Sequence, residues 1–194
     1  MTCIIGFTDK KNNKTYMGCD SLGSNGYIKQ YRNDRKIFKP ENNNNFVVGF
    51  TSSYRMGQLL MYADIFPTEK QIECDDIKID HKWMVTKFIP KVKELFKNNN
   101  YGKDDKGGVF LVAYKGQLFQ IESDFQVAET TIDFNSVGCG EDFALGSLFA
   151  LDDNVGIENK ILTGLRSASY FSCGVDKPFY ITCTGEDDIK EYLK

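Results

Sequence analysis

Met1-Thr2-Cys3-Ile4-Ile5-Gly6-Phe7 runs through the polar stretch Asp9-Lys10-Lys11-Asn12-Asn13-Lys14 into Tyr16-Met17-Gly18-Cys19-Asp20-Ser21. Two short apolar runs flank a cluster of turn-forming residues. The spacing therefore predicts strands over 3–8 and 15–19 joined by a reversing turn. Such a hairpin brings Thr2 beside the Asp20 carboxylate. If Met1 is removed, Thr2 carries a hydroxyl and a free α-amino group on one residue, a nucleophile with its own base. Threonine is small enough for methionine aminopeptidases to accept it next to the initiator methionine, so removal is the expectation.

Outward from this hairpin, residues 22–33 read as a loop holding a short strand at Tyr27-Ile28-Lys29-Gln30-Tyr31, and Lys36-Ile37-Phe38 as another short strand. Phe46-Val47-Val48-Gly49-Phe50-Thr51 is a continuous apolar run, the pattern of a strand buried on both faces. Ser52 or Ser53 can cap the next helix, with Met56, Leu59, Leu60 and Ala63 on its buried side. Residues 66–79 read as an irregular polar connection. Asp80 caps a helix to about residue 97 that Pro90 should kink. A polar loop over 98–106 leads to a hairpin, 108–114 and 117–123, around Lys115-Gly116. Strands over 126–130 and 134–137 follow. Gly138-Cys139-Gly140 opens a helix with Phe143, Ala144, Leu145 and Leu148, and Ile157, Ile161, Leu162, Leu165 and Ala168 line one face of a longer helix. Residues 178–184 read as a last strand and 185–194 as a tail helix. Strands and helices are segregated, so the class is α+β, with two antiparallel sheets packed together and helices outside: a four-layer αββα sandwich.

The chain has 194 residues, 41% apolar and 26% charged, with a net charge of −3. One domain over 1–194 is expected, with a substantial core. The charge balance lacks the basic footprint of a nucleic-acid partner. No apolar run is long enough to span a membrane and no secretory segment precedes the first strand, so the reading is cytosolic. The six cysteines include no C-x-x-C pair, and four lie in apolar strand or helix contexts, as reduced core residues do. A single histidine leaves no zinc cluster, and no cofactor is implied.

In this order the segments resemble proteasome β subunits and the bacterial HslV peptidase, which are N-terminal nucleophile hydrolases. They are most similar to the proteasome-like proteins of bacteria and their phages. Thr2-Cys3-Ile4-Ile5-Gly6 is similar to the family's processed start, and Tyr16 to Ser21 to the strand that ends in its catalytic aspartate. Arg35-Lys36-Ile37-Phe38-Lys39 resembles the segment of the catalytic lysine, although Arg35 could equally be the inward residue. Val47-Val48-Gly49-Phe50 resembles the strand whose glycine amide serves the oxyanion hole, and Ser136 to Gly140 the family's Gly-Ser-Gly turn, with Cys139 in place of the serine. The family's Asp-x-x-Ser-Gly is represented by Ser169-Tyr170-Phe171-Ser172-Cys173-Gly174, where Ser169 or Tyr170 stands for the aspartate; Ser172 is carried over from this motif.

The resemblance implies the catalytic set Thr2, Asp20, Lys36, Gly49, Cys139 and Ser172. A peptide carbonyl needs a nucleophile, a proton acceptor and donors for the developing oxyanion. An α-amino group titrates at about 7.7–8.0, so part of it is neutral near pH 7 and can take the threonine proton. A Lys36 ammonium disfavours protonation of that amine by like-charge repulsion, and Asp20 holds Lys36. The substrate pocket is expected between residues 22–31 and the turn 50–56, with Tyr31, Phe50, Thr51 and Met56 favouring an apolar side chain. The expected function is a threonine-type peptidase acting on peptide or unfolded protein. Its implied partners are further copies in a closed ring, with Phe66, Tyr62 and Tyr54 near the contact, and an unfoldase. The rival readings are a non-catalytic, ring-forming structural protein of the same fold and a small-molecule amidase.

Overall fold

Alternation along the strands builds the layers in the computed structural model, which describes residues 1–25, 27–102 and 106–193. Gly26 of the 22–33 loop, residues 103–105 of the polar loop and the last residue of the expected tail helix lie outside these. Strand β1 (Ile4–Asp9) turns one way into a cluster with Met17, Ile37, Val47, Leu111 and Val137 through Ile4. Its other side, Ile5 and Phe7, packs with Cys3 on Ala144, Leu148, Ile161 and Leu165. Successive side chains of a strand point to opposite faces, so one strand serves two layers of core. β6 (Phe46–Phe50) and β7 (Phe110–Tyr114) do the same: Val47, Leu111 and Ala113 face the first sheet, and Phe46, Val48, Phe50, Phe110, Val112 and Tyr114 face helices.

Two five-stranded sheets result. The first has the order β10 (Phe134–Val137), β1, β2 (Lys14–Cys19), β11 (Phe179–Cys183), β12 (Lys190–Tyr192). The second runs β5 (Ile37–Phe38), β6, β7, β8 (Gln117–Ile121), β9 (Val127–Ala128). All pairings are antiparallel. A separate two-stranded ribbon joins β3 (Leu22–Ser24) to β4 (Lys29–Tyr31). Helices α5 (Glu141–Phe149) and α6 (Ile157–Phe171) cover the first sheet. The second is covered by α1 (Tyr54–Met61), α3 (His81–Trp83), a π-helical turn (Met84–Phe88) and α4 (Ile89–Asn98). The architecture is the expected αββα sandwich.

Several expectations are corrected. The 66–79 connection contains helix α2 (Glu69–Cys74), started by a capping box in which Thr68 Oγ1 accepts from the Gln71 amide and the Gln71 side chain accepts from Thr68 N. It buries no residue, so it has no apolar stripe to betray it. The tail forms strand β12 on the edge of β11 instead of a helix; Gly185 (φ +78°) turns the chain there. The strand expected over 126–130 shortens to Val127–Ala128. Of the two candidate caps, Ser53 is the one used, its Oγ accepting from Arg55 N at 3.1 Å. Pro90 perturbs its helix through the turn before it: the Ile89 N–H bonds back to Met84 O, five residues away, and the π-helical turn absorbs the disruption. Three cysteines, Cys3, Cys19 and Cys183, are buried, while Cys74, Cys139 and Cys173 are exposed. Phe66 is core, so only Tyr62 of the expected contact aromatics is well exposed. Among the described residues no helix is long and apolar enough to cross a membrane.

Candidate active site

Thr2 lies just before β1 and is 4% exposed. The turn after β10 holds it. Gly140 N donates to Thr2 O at 3.2 Å. Gly138 sits at φ +105°, where a Cβ would fall 2.3 Å from Thr2 O, so this turn can approach Thr2 only with glycine there. The approach sets Cys139 Sγ 3.3 Å from Thr2 N. Ser172, at the end of α6, lies behind it with Oγ 3.5 Å from Cys139 Sγ, and accepts from Gly174 N at 3.3 Å.

On the other side of Thr2 lies a buried ion pair. Lys36 Nζ is 2.8 Å from Asp20 Oδ1, with the two side chains 1% and 0% exposed. Of the two candidate basic residues, Lys36 is therefore inward. Arg35 lies over the Tyr180 ring, 4.8 Å from its centroid. Lys36 also donates to Leu22 O at 2.7 Å and Met1 O at 3.4 Å. Asp20 accepts from Cys3 N (3.0 Å), Leu22 N (3.0 Å) and Asp176 N (3.4 Å). Burial pushes the Asp20 carboxyl up, and the Lys36 ammonium and these amides pull against it. The Thr2 hydroxyl donates to the carbonyl of Met1, the same oxygen that Lys36 reaches. The peptide carbonyl preceding Thr2 is thus polarised by both groups. Burial raises the thiols of Cys3 and Cys19, the latter to about 12, which leaves them as packing residues.

Gly49 does not join this cluster. The Phe50 N–H points to β5, bonding Lys36 O at 2.9 Å, so the preceding Gly49 N–H points to β7 and is used in the ladder with Leu111. A Cβ at Gly49 would meet Ile4 at 2.5 Å and Met17 at 2.7 Å, which makes it a contact point between the sheets. The backbone that does border Thr2 is the turn 51–53. It lines, with Met1, Thr2, Ser24, Lys36, Phe50 and Tyr54, a slot of about 80 Å³. Of the expected pocket residues, Phe50 and Thr51 line it. Met56 is fully buried in the core against Gly108, and Tyr31 is 65% exposed with its hydroxyl on Asp176. Neither stand-in for the second aspartate supplies a carboxylate, and Tyr170 is 84% exposed, packed on Phe171.

Asp176 escapes the sequence reading. Its amide bonds Asp20, and its carboxylate takes Lys29 Nζ at 2.8 Å and Tyr31 Oη at 3.2 Å, tying the β3–β4 ribbon to the site. It lies in a loop without periodicity, and no motif marks it.

No protein-family model matches the sequence, and no curated protein resembles it significantly. Solved structures do. The BPH protein of Thiobacillus denitrificans in complex with epoxomicin superposes with a TM-score of 0.72 at 18% identity, over 94% of this chain and 98% of that one. The same protein alone gives 0.72 and 19%, over 97% and 100%. Eukaryotic HslV from Trypanosoma brucei gives 0.69 and 15%, over 94% and 98%. With the layer order described above, these likenesses show that the chain has the HslV- and proteasome-like fold.

Proposed function

We propose that the protein is a threonine-type amide hydrolase acting on peptides or unfolded protein, with Thr2 as its nucleophile once the Met1–Thr2 bond is cut. The observation that carries this is the convergence on Thr2 of a buried Lys36–Asp20 pair on one side and Cys139 Sγ, 3.3 Å from its nitrogen, on the other. The freed amine takes the hydroxyl proton as Oγ1 adds to the substrate carbonyl. The Lys36 charge favours the neutral amine, and Asp20, fixed by three amides, fixes Lys36. Thr51 N and Ser53 N are spent on Val109 O and Thr51 O, so within the turn 51–53 the oxyanion role expected of Gly49 falls to the Ser52 amide. Cys139 and Ser172 steady the amine. Copies assemble in a closed ring that sequesters the sites, fed by an unfoldase.

Epoxomicin, seen in complex with BPH, is a peptidyl epoxyketone that reacts with a threonine hydroxyl and its free amine together. The test is intact mass with this reagent. Protein lacking Met1 that gains one adduct on Thr2 supports the reading; processed protein that gains none and cleaves no peptide defeats it. The second reading, a non-catalytic ring protein, is favoured by one observation: Ser169 and Tyr170, the residues that stand for the family's second aspartate, carry no carboxylate, and Tyr170 is exposed.

A further inference from the structure

The nitrogen of Thr2 faces a sulfur. Its N–H donates to Cys139 Sγ at 3.3 Å, inside the about 3–3.5 Å at which two atoms are poised to react. Backbone builds this contact. Gly138 at φ +105° lets the turn close on Thr2, and Gly140 N holds Thr2 O at 3.2 Å. Behind the sulfur, a Cβ at Gly174 would fall 2.6 Å from Cys139 Sγ, so the glycine gives the sulfur its seat. None of these contacts passes through Met1, so cutting the Met1–Thr2 bond leaves nitrogen and sulfur facing each other. The Met1 side chain rests on the same glycine, and its loss uncovers the sulfur further. The neighbouring thiol is different. Cys3 is buried, its Sγ 3.8 Å from Ser136 Oγ, and burial pushes its thiol up. Cys139 is exposed and borders a cleft with Thr51, Ser52, Glu122 and Glu141, polar walls past which a small oxidant can reach it.

An accessible thiol beside a group that can resolve its oxidised form is the arrangement of a redox sensor, and a nitrogen can be that group, because a sulfenic acid condenses with nitrogen to a sulfenamide. We infer that Cys139 and the freed Thr2 α-amine form a reversible redox lock, in which a peroxide oxidises the thiol and the amine closes a sulfur–nitrogen bond. In the first step the Cys139 sulfur attacks one peroxide oxygen. The O–O bond breaks, the sulfur becomes a sulfenic acid, and the other oxygen leaves as water. The amine, released from Met1, turns about its Cα bond and brings its lone pair to the sulfur. The N–S bond forms, the S–O bond breaks, and the hydroxide leaves as a second water with a proton from the amine. The thiol has lost two electrons and the peroxide has gained them. The Lys36 charge, by favouring the neutral amine, keeps that lone pair available. While the bond stands, the amine cannot take the Thr2 hydroxyl proton and hydrolysis stops. A free thiol reverses it by attacking the sulfur, which releases the amine and leaves a mixed disulfide for a second thiol to clear. The effect on activity rests on the reading of Thr2 as nucleophile; the bond itself needs only the free amine.

Protein released from a cleavable fusion, so that Thr2 begins the chain, is reduced and then treated with hydrogen peroxide. The intact mass should fall by two hydrogens, the Thr2 amine should no longer accept reductive methylation, and epoxyketone labelling should be lost. Dithiothreitol should restore all three. Cys139→Ser, whatever its starting rate, should label equally before and after peroxide. A disulfide also removes two hydrogens, but it leaves the amine free, so methylation separates the two products. Cys173→Ser makes the same distinction: the lock should persist in it, and its disappearance would mean a Cys139–Cys173 disulfide and overturn the inference. A Thr2 amine that still methylates after peroxide, or a Cys139 that only gains oxygen, overturns it as well. Reduced protein that takes up no epoxyketone defeats the nucleophile instead, and the lock is then judged by mass and methylation alone: both changes together support it, and either one missing rejects it.

Discussion

Lys36 and Asp20 make the strongest demand on the site, because each is buried with the other as its counter-charge. Lys36→Ala leaves an uncompensated carboxylate in the interior, which costs about 3–5 kcal/mol. We expect urea unfolding to show a loss of that order, together with loss of epoxyketone labelling. The paired change Asp20→Asn with Lys36→Met removes both charges and should recover much of the stability but none of the labelling. If the double variant labels normally, Lys36 is structural only. Gly138 gives a second test at this scale. Its φ of +105° and the 2.3 Å approach to Thr2 O leave no room for a methyl group. Gly138→Ala should therefore displace Thr2 from Cys139 and cut the labelling rate at least tenfold, with a smaller effect on Tm than Lys36→Ala; an unchanged rate would show that the turn does not seat Thr2.

The β3–β4 ribbon is joined to the site by Asp176 through Lys29 and Tyr31. Burial opposes the Asp176 charge, but Lys29 and the Lys177 amide outweigh it and hold the carboxyl below its usual value of 3.8. A carboxyl depressed in the folded state contributes stability that is present above its unfolded pKa and fades as pH falls through the folded one. The ribbon should thus stay protected from amide exchange at neutral pH and open selectively below about pH 4. Asp176→Asn should open it at every pH by no more than about 1 kcal/mol, since Lys29 is 57% exposed. Equal protection in the variant and the wild type would remove the clamp. Legibility differs along the same lines. β1, β6 and β7 carry apolar residues on both faces, so their place between layers is readable from the sequence; the resemblance points to Thr2 before β1 and Asp20 after β2, while Lys36 before β5 is told from Arg35 only by its burial in the structure. The direction of the Gly49 amide depends on pairing with Ile37 and Leu111, which no local pattern reveals. Helix α2 and strand β12 depend on a capping box and on an edge pairing, and neither leaves an apolar period.

At the scale of the whole molecule, the largest exposed aromatic side chains of the helical layers are unevenly placed. Phe149 is 82% exposed, Tyr170 84% and Phe171 64%, all on α5 and α6. Phe143 stacks on Phe171 with ring centroids 5.4 Å apart. On the opposite helical layer, Tyr62 is the exposed aromatic and Phe66 is core. Phe143, Phe171 and Tyr170 form one stacked, exposed aromatic cluster, and such surface is costly in water and characteristic of contact faces. If copies associate as proposed, the α5–α6 face is where burial contributes most, and the contact expected around Tyr62 and Phe66 contributes less. In a ring closed by cyclic symmetry every copy loses the same face at once, so one substitution weakens all contacts together. Phe149→Ser with Phe171→Ser should therefore lower the mass seen by light scattering at micromolar concentration, while Tyr62→Ser leaves it in place. Neither change touches Thr2, so the dissociated variant should still form the epoxyketone adduct. A wild type that is monomeric removes the ring, and a mass that responds to Tyr62→Ser alone returns the contact to the α1 side.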